Sequence, residues 1–89
     1  MIKDIKKITL HCDETPENRE EISDVIDKLR QTGIDYAVIP VDPPISLLIR
    51  GDSPSAFSIF AQGRTEVNHY LDLLLDEKKL EEKKYNPTP

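Results

Sequence analysis

The only cysteine of the chain lies within "HCDETPENREEI", residues 11 to 22, where a strand-like pattern gives way to a helix-like one. A thiol near a helix N-terminus can serve as a nucleophile or redox centre, because the helix dipole favours the thiolate. The neighbours of Cys12 oppose this role: Asp13 and Glu14 disfavour a further negative charge, and His11 points to the opposite strand face. We interpret Cys12 as a small buried residue, with a reactive thiol as the alternative.

Few other groups could support chemistry. His11 and His69 stand on different predicted elements, and no cluster of cysteines and histidines has the spacing of a zinc site. The chain carries neither a glycine-rich phosphate loop nor a nucleophile elbow. The sequence therefore predicts no metal and no cofactor. It leaves enzymatic activity open and favours a binding role.

Length and charge limit the classes of function. A chain of 89 residues can build one small core, so we expect a single domain over residues 1–84 and a flexible tail over residues 85–89. With 17 acidic and 12 basic residues, it has no excess positive charge to bind phosphates, and nucleic acid is not an expected partner. No apolar run approaches the ~20 residues that cross a bilayer, and a single cysteine forms no internal disulfide. These features predict a soluble cytoplasmic protein.

Hydrophobic spacing predicts the elements around Cys12. Residues 6–12 alternate apolar and polar side chains, as in a half-buried strand. Thr15 can cap a helix that begins at Pro16, because proline fits the first helical position. An apolar stripe continues towards Gly33, which is expected to end the helix in the left-handed conformation. The stripe consists of Ile22, Val25, Ile26 and Leu29.

The second half of the chain predicts three strands and a helix. Residues 34–41 are rich in β-branched and aromatic side chains, which indicates a strand covered on much of both faces. Residues 45–51 and 56–62 indicate an antiparallel hairpin, because glycine, serine and proline between them favour a turn. A final helix, capped by Thr65, follows.

The element order predicts a two-layer α/β fold, β-α-β-β-β-α, with a four-stranded mixed sheet and two helices. The first two strands should be parallel, because a helix connects them. Val41 and Pro44 are separated by only two residues, so no helix joins the second and third strands. This link can still step over the end of one intervening strand. In the alternative, the second and third strands pair directly.

A missing helix has a consequence for the sheet surface. With helices on one side only, the other face is partly apolar and has no cover, as in an interaction surface. A homodimer or another protein partner would cover it. In the alternative order, a flank or the last helix covers this face. The residues expected on it are Thr9, His11, Ala37, Ile39, Leu48 and Phe60.

Two stretches resemble a known family. "GIDYAVIPVD" resembles the region after the first helix of glutaredoxins. "PISLLIRGDSPSAFSIFAQGRTEVNHYLDLL" is similar to the thioredoxin segment of proline, strand, turn, strand, glycine and last helix. The resemblance covers roughly residues 5–76 and implies a thioredoxin-like fold without the helix between the second and third strands. It places Pro44 as the cis-proline before the third strand, and Thr15, Pro16 and Asn18 within the position of the Cys-Pro-x-Cys redox motif.

The departures from the family affect its chemistry. The hydroxyl of Thr15 and the amide of Asn18 cannot perform dithiol exchange, which needs two thiols. The residue before the cis-proline would be Pro43, which has no N–H to bind an extended substrate backbone. The resemblance therefore implies a redox-inactive protein-interaction or assembly module that self-associates.

The family also binds a glutathione carboxylate near the start of the last helix. Gly63, Arg64 and Thr65 could present N–H groups and a positive charge there, or form a plain helix cap with a solvated arginine. The competing interpretation of the whole chain is a single-thiol, glutathione-linked redox protein that uses Cys12.

Overall fold

A computed structural model of the chain describes residues 2–13, 15–42, 44–52 and 54–85. The regular elements follow the predicted order, strand, helix, three strands and helix. The strands are β1 (Ile5–Cys12), β2 (Tyr36–Pro40), β3 (Ser46–Gly51) and β4 (Phe57–Gln62), and the helices are α1 (Arg19–Thr32) and α2 (Arg64–Tyr85). Single 3-10 turns at Ile2–Asp4 and Pro16–Asn18 precede β1 and α1.

The four strands form one mixed sheet in the order β2-β1-β3-β4. β1 pairs parallel with β2 and antiparallel with β3, and β3 pairs antiparallel with β4. The link between β2 and β3 therefore steps over the end of β1. The predicted α/β fold, with no helix between β2 and β3, is confirmed, and direct pairing of these two strands is wrong.

One hydrophobic core lies between the sheet and both helices. Alternate side chains of the central strands point into it, as the period-two pattern requires. The apolar stripe predicted for α1 packs against these strands together with the matching stripe of α2. The fully buried members are Ile8, Leu10, Cys12, Leu29, Leu47, Ile49, Ala61, Val67, Leu71 and Leu74, with Val25 and Ile22 close behind.

The start of α1 differs from the prediction. Thr15 occupies the N-cap position with extended backbone, but its side chain makes no capping hydrogen bond. Pro16 opens a 3-10 turn, and the α-helix itself begins only at Arg19. The predicted N-cap hydrogen bond of Thr15 is therefore absent, and a tighter first turn, in which residues three apart lie on the same side, precedes the α-helix.

The bounds of α2 also differ from the prediction. The helix begins at Arg64, so Thr65 lies inside the first turn and is not the cap. The cap position belongs to Gly63, which has a φ of 89° and whose carbonyl oxygen accepts the N–H of Val67 at 3.0 Å. The helix continues through Tyr85, and residues 86–89 of the predicted tail lie outside the described part.

β2 is covered on one face only, contrary to the prediction. Tyr36 and Val38 pack against the core, whereas Ile39 and Val41 are exposed. A continuous apolar run is typical of a strand with cover on both sides. Here the second cover is not supplied by the described chain.

The end of α1 agrees with the prediction. Gly33 has a φ of 71°, and its N–H donates to the carbonyl oxygen of Arg30 at 3.1 Å. The buried Thr32 also stabilises this turn. Its hydroxyl donates to the carbonyl oxygen of Leu29 at 2.6 Å and accepts the N–H of Ile34 at 3.2 Å. The chain thereby turns directly from the helix into β2.

Replacing Gly33 by valine should lower the free energy of unfolding by about 1 kcal/mol or more, because a β-branched residue is strained at this positive φ. Gly33→Asn is the matched control and should cost less, because asparagine tolerates the left-handed conformation. Denaturant unfolding followed by circular dichroism measures both. Equal midpoints for the valine variant and the wild type would contradict the left-handed turn.

Candidate functional site

The sheet face opposite the helices carries two rows of side chains that run across all four strands. We call these eight positions the open face. Strand register aligns them in two sets of four, because residues paired across strands share a face. The first row is Ala37, Thr9, Leu48 and Phe60, and the second is Ile39, His11, Ser46 and Gln62.

Four of the eight open-face side chains are apolar, and the two of these that are most exposed lie on the edge strands β2 and β4. One third of the chain is charged, yet none of the eight positions is acidic or basic apart from the histidine. Phe60 exposes 60% of its surface and Ile39 exposes 43%. Within the described residues, no helix packs on this side of the sheet. An exposed apolar patch on a folded protein is typical of an interaction site.

Charges lie at the two ends of this surface. Lys7 and Arg50 pair across β1 and β3. They lie next to the first row of the open face, on its side away from the second row, and both are exposed. Asp13 and Asp42 lie just beyond the C-terminal ends of β1 and β2, at the other end of the sheet from Lys7 and Arg50. The open face is therefore bordered by two basic residues and the exposed Asp35 at one end, and by two acidic residues at the other.

His11 gives the open face its one titratable group. Its Nδ1 atom is buried and has no hydrogen-bond partner within the described part of the molecule, where Ile39 and Ser46 flank it in the sheet. A buried polar atom without a partner carries a desolvation cost. A molecule that covers the face could satisfy this atom.

Three segments singled out by the sequence meet at one end of the sheet. Thr15 and Pro16 follow β1, Pro44 precedes β3, and Gly63 follows β4. Register places the ends of these strands side by side. The backbone of Asn18 completes the 3-10 turn, while Pro43 lies outside the described residues.

The proposed anion site at the start of α2 is altered by its neighbours. Arg64 lines a shallow groove between the helices, beside Asp24 and Asp27 of α1. The carboxylate of Glu66 accepts the N–H of Gln62 at 3.0 Å, immediately before the helix. This acidic group at the helix start disfavours a second anion there.

Cys12 lies in the core and not in a cleft. Only 1% of its surface is exposed, and its side chain points to the helix side of the sheet with Ile8 and Leu10. A thiol in this environment has poor access to reagents and to other thiols.

The sequence did not reveal the polar contacts that join the two helices. Lys28 reaches from α1 to Asp72 and Asn68 of α2, with N–O distances of 3.0 Å to each. Lys78 of α2 donates to the carbonyl oxygen of Gln31 at 2.7 Å. Spacing within a helix predicts only local pairs, so no sequence signal identifies partners some forty positions apart.

Two further groups stand away from the open face. The Arg30 side chain of α1 donates to the Tyr36 hydroxyl at 3.3 Å. This hydrogen bond raises the pKa of the Arg30 guanidinium above its ordinary value. His69 contacts Tyr70 edge-on on α2, in the layer opposite His11. Among residues with described side chains, no three histidine, cysteine or acidic groups are placed to hold a metal ion.

Comparisons with protein-family models, curated proteins and solved structures give no match to the chain. No helix in the described ranges combines the length and apolar character that crossing a bilayer requires. The chemistry of the molecule's own surfaces is therefore the basis for a functional proposal.

Native Cys12 should react with a thiol reagent about 100-fold or more slowly than an exposed cysteine, because modification requires local or global opening. The control is Cys12→Ala with Ser55→Cys, which places a single thiol on an exposed turn. Reaction rates are measured in native buffer and in denaturant. Fast native modification of Cys12 would instead favour a reactive thiol.

Proposed function

We propose that the chain is a cytoplasmic, redox-inactive, thioredoxin-like module that self-associates through its open face. The single observation that carries this proposal is the composition of that face. A surface of eight aligned positions without an acidic or basic residue other than His11 is unusual in a chain that is 33% charged. Burying it removes apolar area from water and costs little desolvation of charge.

The thioredoxin-like interpretation is supported by the element order and by the link that steps over β1. It is also supported by the place of Pro44 just before β3 and of Gly63 just before α2. Redox inactivity follows from the residues at the motif position. Thr15 and Asn18 supply no thiol, and Cys12 is buried on the helix side of the sheet.

A second copy of the chain fits the charge pattern of this surface. When two open faces stack with their strands antiparallel, the basic end of one copy lies over the acidic end of the other. Lys7 and Arg50 then approach Asp13 and Asp42 of the second copy. Complementary borders of this kind fix the orientation of an interface and suppress wrong partners.

Ile39→Lys should weaken self-association about tenfold or more, because each interface would then bury two ammonium groups. Ile39 is exposed and lies on β2, so the fold should be retained. The matched control is Leu80→Lys, which places the same charge on an exposed apolar position of α2. Sedimentation equilibrium gives the association constants.

A wild-type protein that stays monomeric at millimolar concentration would overturn the proposal. Equal weakening by the two lysine variants would also contradict it, since Leu80 lies outside the open face. Unfolding midpoints of both variants verify that neither change acts through the stability of the monomer.

A double replacement tests the thioredoxin-like interpretation separately. Thr15→Cys with Asn18→Cys, in a Cys12→Ala background, should form an internal disulfide under mild oxidation. A 3-10 turn brings residues three apart to about 6 Å, within the Cα separation of roughly 4.4 to 6.8 Å that a disulfide requires. Mass spectrometry of the oxidised monomer detects the bond. Only intermolecular disulfides in dilute solution would show that this segment does not form the turn.

A further inference from the structure

The free edge of β4 carries backbone groups that are ready to pair. Gly63 donates its N–H to Ile45 at 2.7 Å, and antiparallel pairs alternate in their hydrogen bonding. The N–H and C=O groups of Ser58, Phe60 and Gln62 therefore point away from β3. Glu66 already holds the N–H of Gln62. In the described part of the chain, no backbone group pairs with the outward groups of Ser58 and Phe60.

Each edge of the sheet is blocked at one of its outward positions, β2 by Pro40 and β4 by Glu66 at Gln62. Edge strands are usually blunted by charged side chains, by proline or by cover. On β2, the last residue whose backbone groups point away from β1 is Pro40, which has no N–H to donate to another strand. β4, Phe57–Gln62, contains neither proline nor a charged residue. Two outward residues of β4, Ser58 and Phe60, therefore remain open to another strand, and the 60% exposed Phe60 ring beside them favours this edge.

We propose that β4 pairs antiparallel with β4 of a second copy, about a two-fold axis at Phe60. The pairing places Phe60 opposite Phe60 of the second copy, and Ser58 opposite Gln62 of the second copy. The outward N–H and C=O groups of the two Phe60 residues then bond to each other, and the N–H of Ser58 donates to the carbonyl oxygen of Gln62 of the second copy, while the N–H of Gln62 stays with Glu66. This inference deepens the proposed self-association and rests on it, since it describes how the open face reaches the size of a stable interface.

The β4 edge suits a partner identical to itself. Its uncharged sequence brings no like charges together across the axis, and the two Phe60 rings become cross-strand neighbours on the open face. On the helix side, Leu73 is 43% exposed two turns after Glu66, on the flank of α2 that reaches the edge strand. Exposed apolar groups therefore flank the edge on both sides of the sheet.

The open face of one chain is smaller than a standard stable interface, and edge pairing enlarges it. Four strands about 4.8 Å apart and about 18 Å long give one face a flat area of about 350 Å². A standard stable interface buries about 800 Å² on each partner. A two-fold axis perpendicular to the sheet keeps both open faces on the same side and doubles the area. Two such eight-stranded sheets can stack, which gives a tetramer with two different two-fold contacts.

Ser58→Pro removes an outward N–H and leaves the β3 ladder intact, because that N–H is not used inside the sheet. The matched control, Ser58→Ala, shortens the side chain but keeps the N–H. Sedimentation equilibrium should give a tetramer for the wild type and for Ser58→Ala, and a species no larger than a dimer for Ser58→Pro. A tetramer with Ser58→Pro would overturn the edge pairing.

A disulfide cross-link tests the register of the β4–β4 pair without removing a backbone N–H. In a Cys12→Ala background, Ser58→Cys with Gln62→Cys should yield disulfide-linked pairs on mild oxidation. The two positions lie about 13 Å apart within one strand and so cannot bond to each other. Ser58→Cys alone is the control and should not cross-link, because its partner position is Gln62. Stacked sheets about 10 Å apart can also be joined by a disulfide, so the cross-link reports on the edge where it persists after Ile39→Lys has weakened the open-face contact.

Adding Ile39→Lys to the double-cysteine protein separates the two proposals. Retained cross-linking with loss of the tetramer supports both interfaces. No cross-linking, with association still weakened by Ile39→Lys, overturns the edge pairing and leaves the open-face contact standing. Cross-linking with association unaffected by Ile39→Lys supports the edge and overturns the open-face contact.

Discussion

The short link between β2 and β3 is the constraint on which the rest of the molecule depends. Val41 still donates its N–H to Cys12 at 2.9 Å, and Ile45 already accepts the N–H of Gly63. The connection therefore runs from Asp42 to Pro44. Four steps of about 3.8 Å suffice to cross β1, which is flanked by strands about 4.8 Å away on each side. They leave no length for a helix between β2 and β3 that could cover the face opposite α1 and α2.

A single helical layer divides the molecule into two unlike surfaces. On the helix side, packing buries alternate residues of the central strands β1 and β3 and half-buries most of those of β2 and β4. Lys28 joins α1 to α2 through Asp72 and Asn68. On the open side, Ile39, Phe60 and Gln62 are exposed, and the remaining open-face side chains are half-buried or, at Ser46, buried. The exposed apolar surface of Ile39 and Phe60 would carry a solubility cost without a partner. The buried, unpartnered Nδ1 of His11 agrees with a surface that acquires its last contacts on association.

Much of the fold could be predicted because its signals are local. The alternation of apolar and polar residues predicted β1, and the apolar stripe from Ile22 to Leu29 predicted α1. Gly33 indicated the turn that ends this helix. The length of the link from Val41 to Pro44 then favoured the strand order and indicated six of the eight open-face residues; Ser46 and Gln62 follow only from the register. These features depend on period and chain length, which a sequence shows directly.

Other features could not be predicted because they depend on tertiary context. An apolar run such as β2 looks the same whether a helix or a partner covers its second face, so two-sided cover was a wrong expectation. Thr65 and Gly63 both fit a helix start, and only the turn geometry selects Gly63. The outward direction of the Ser58 and Phe60 amides requires the register with β3, which the sequence did not provide.

The open-face contact is tested most directly by amide NMR spectra of the unmodified protein, recorded over a dilution series from millimolar to micromolar concentration. Self-association through this surface predicts concentration-dependent shifts at Thr9, Ala37, Ile39 and Leu48, with little change on the outer surfaces of α1 and α2. Spectra that do not change with concentration, or changes confined to the helical layer, would contradict the account.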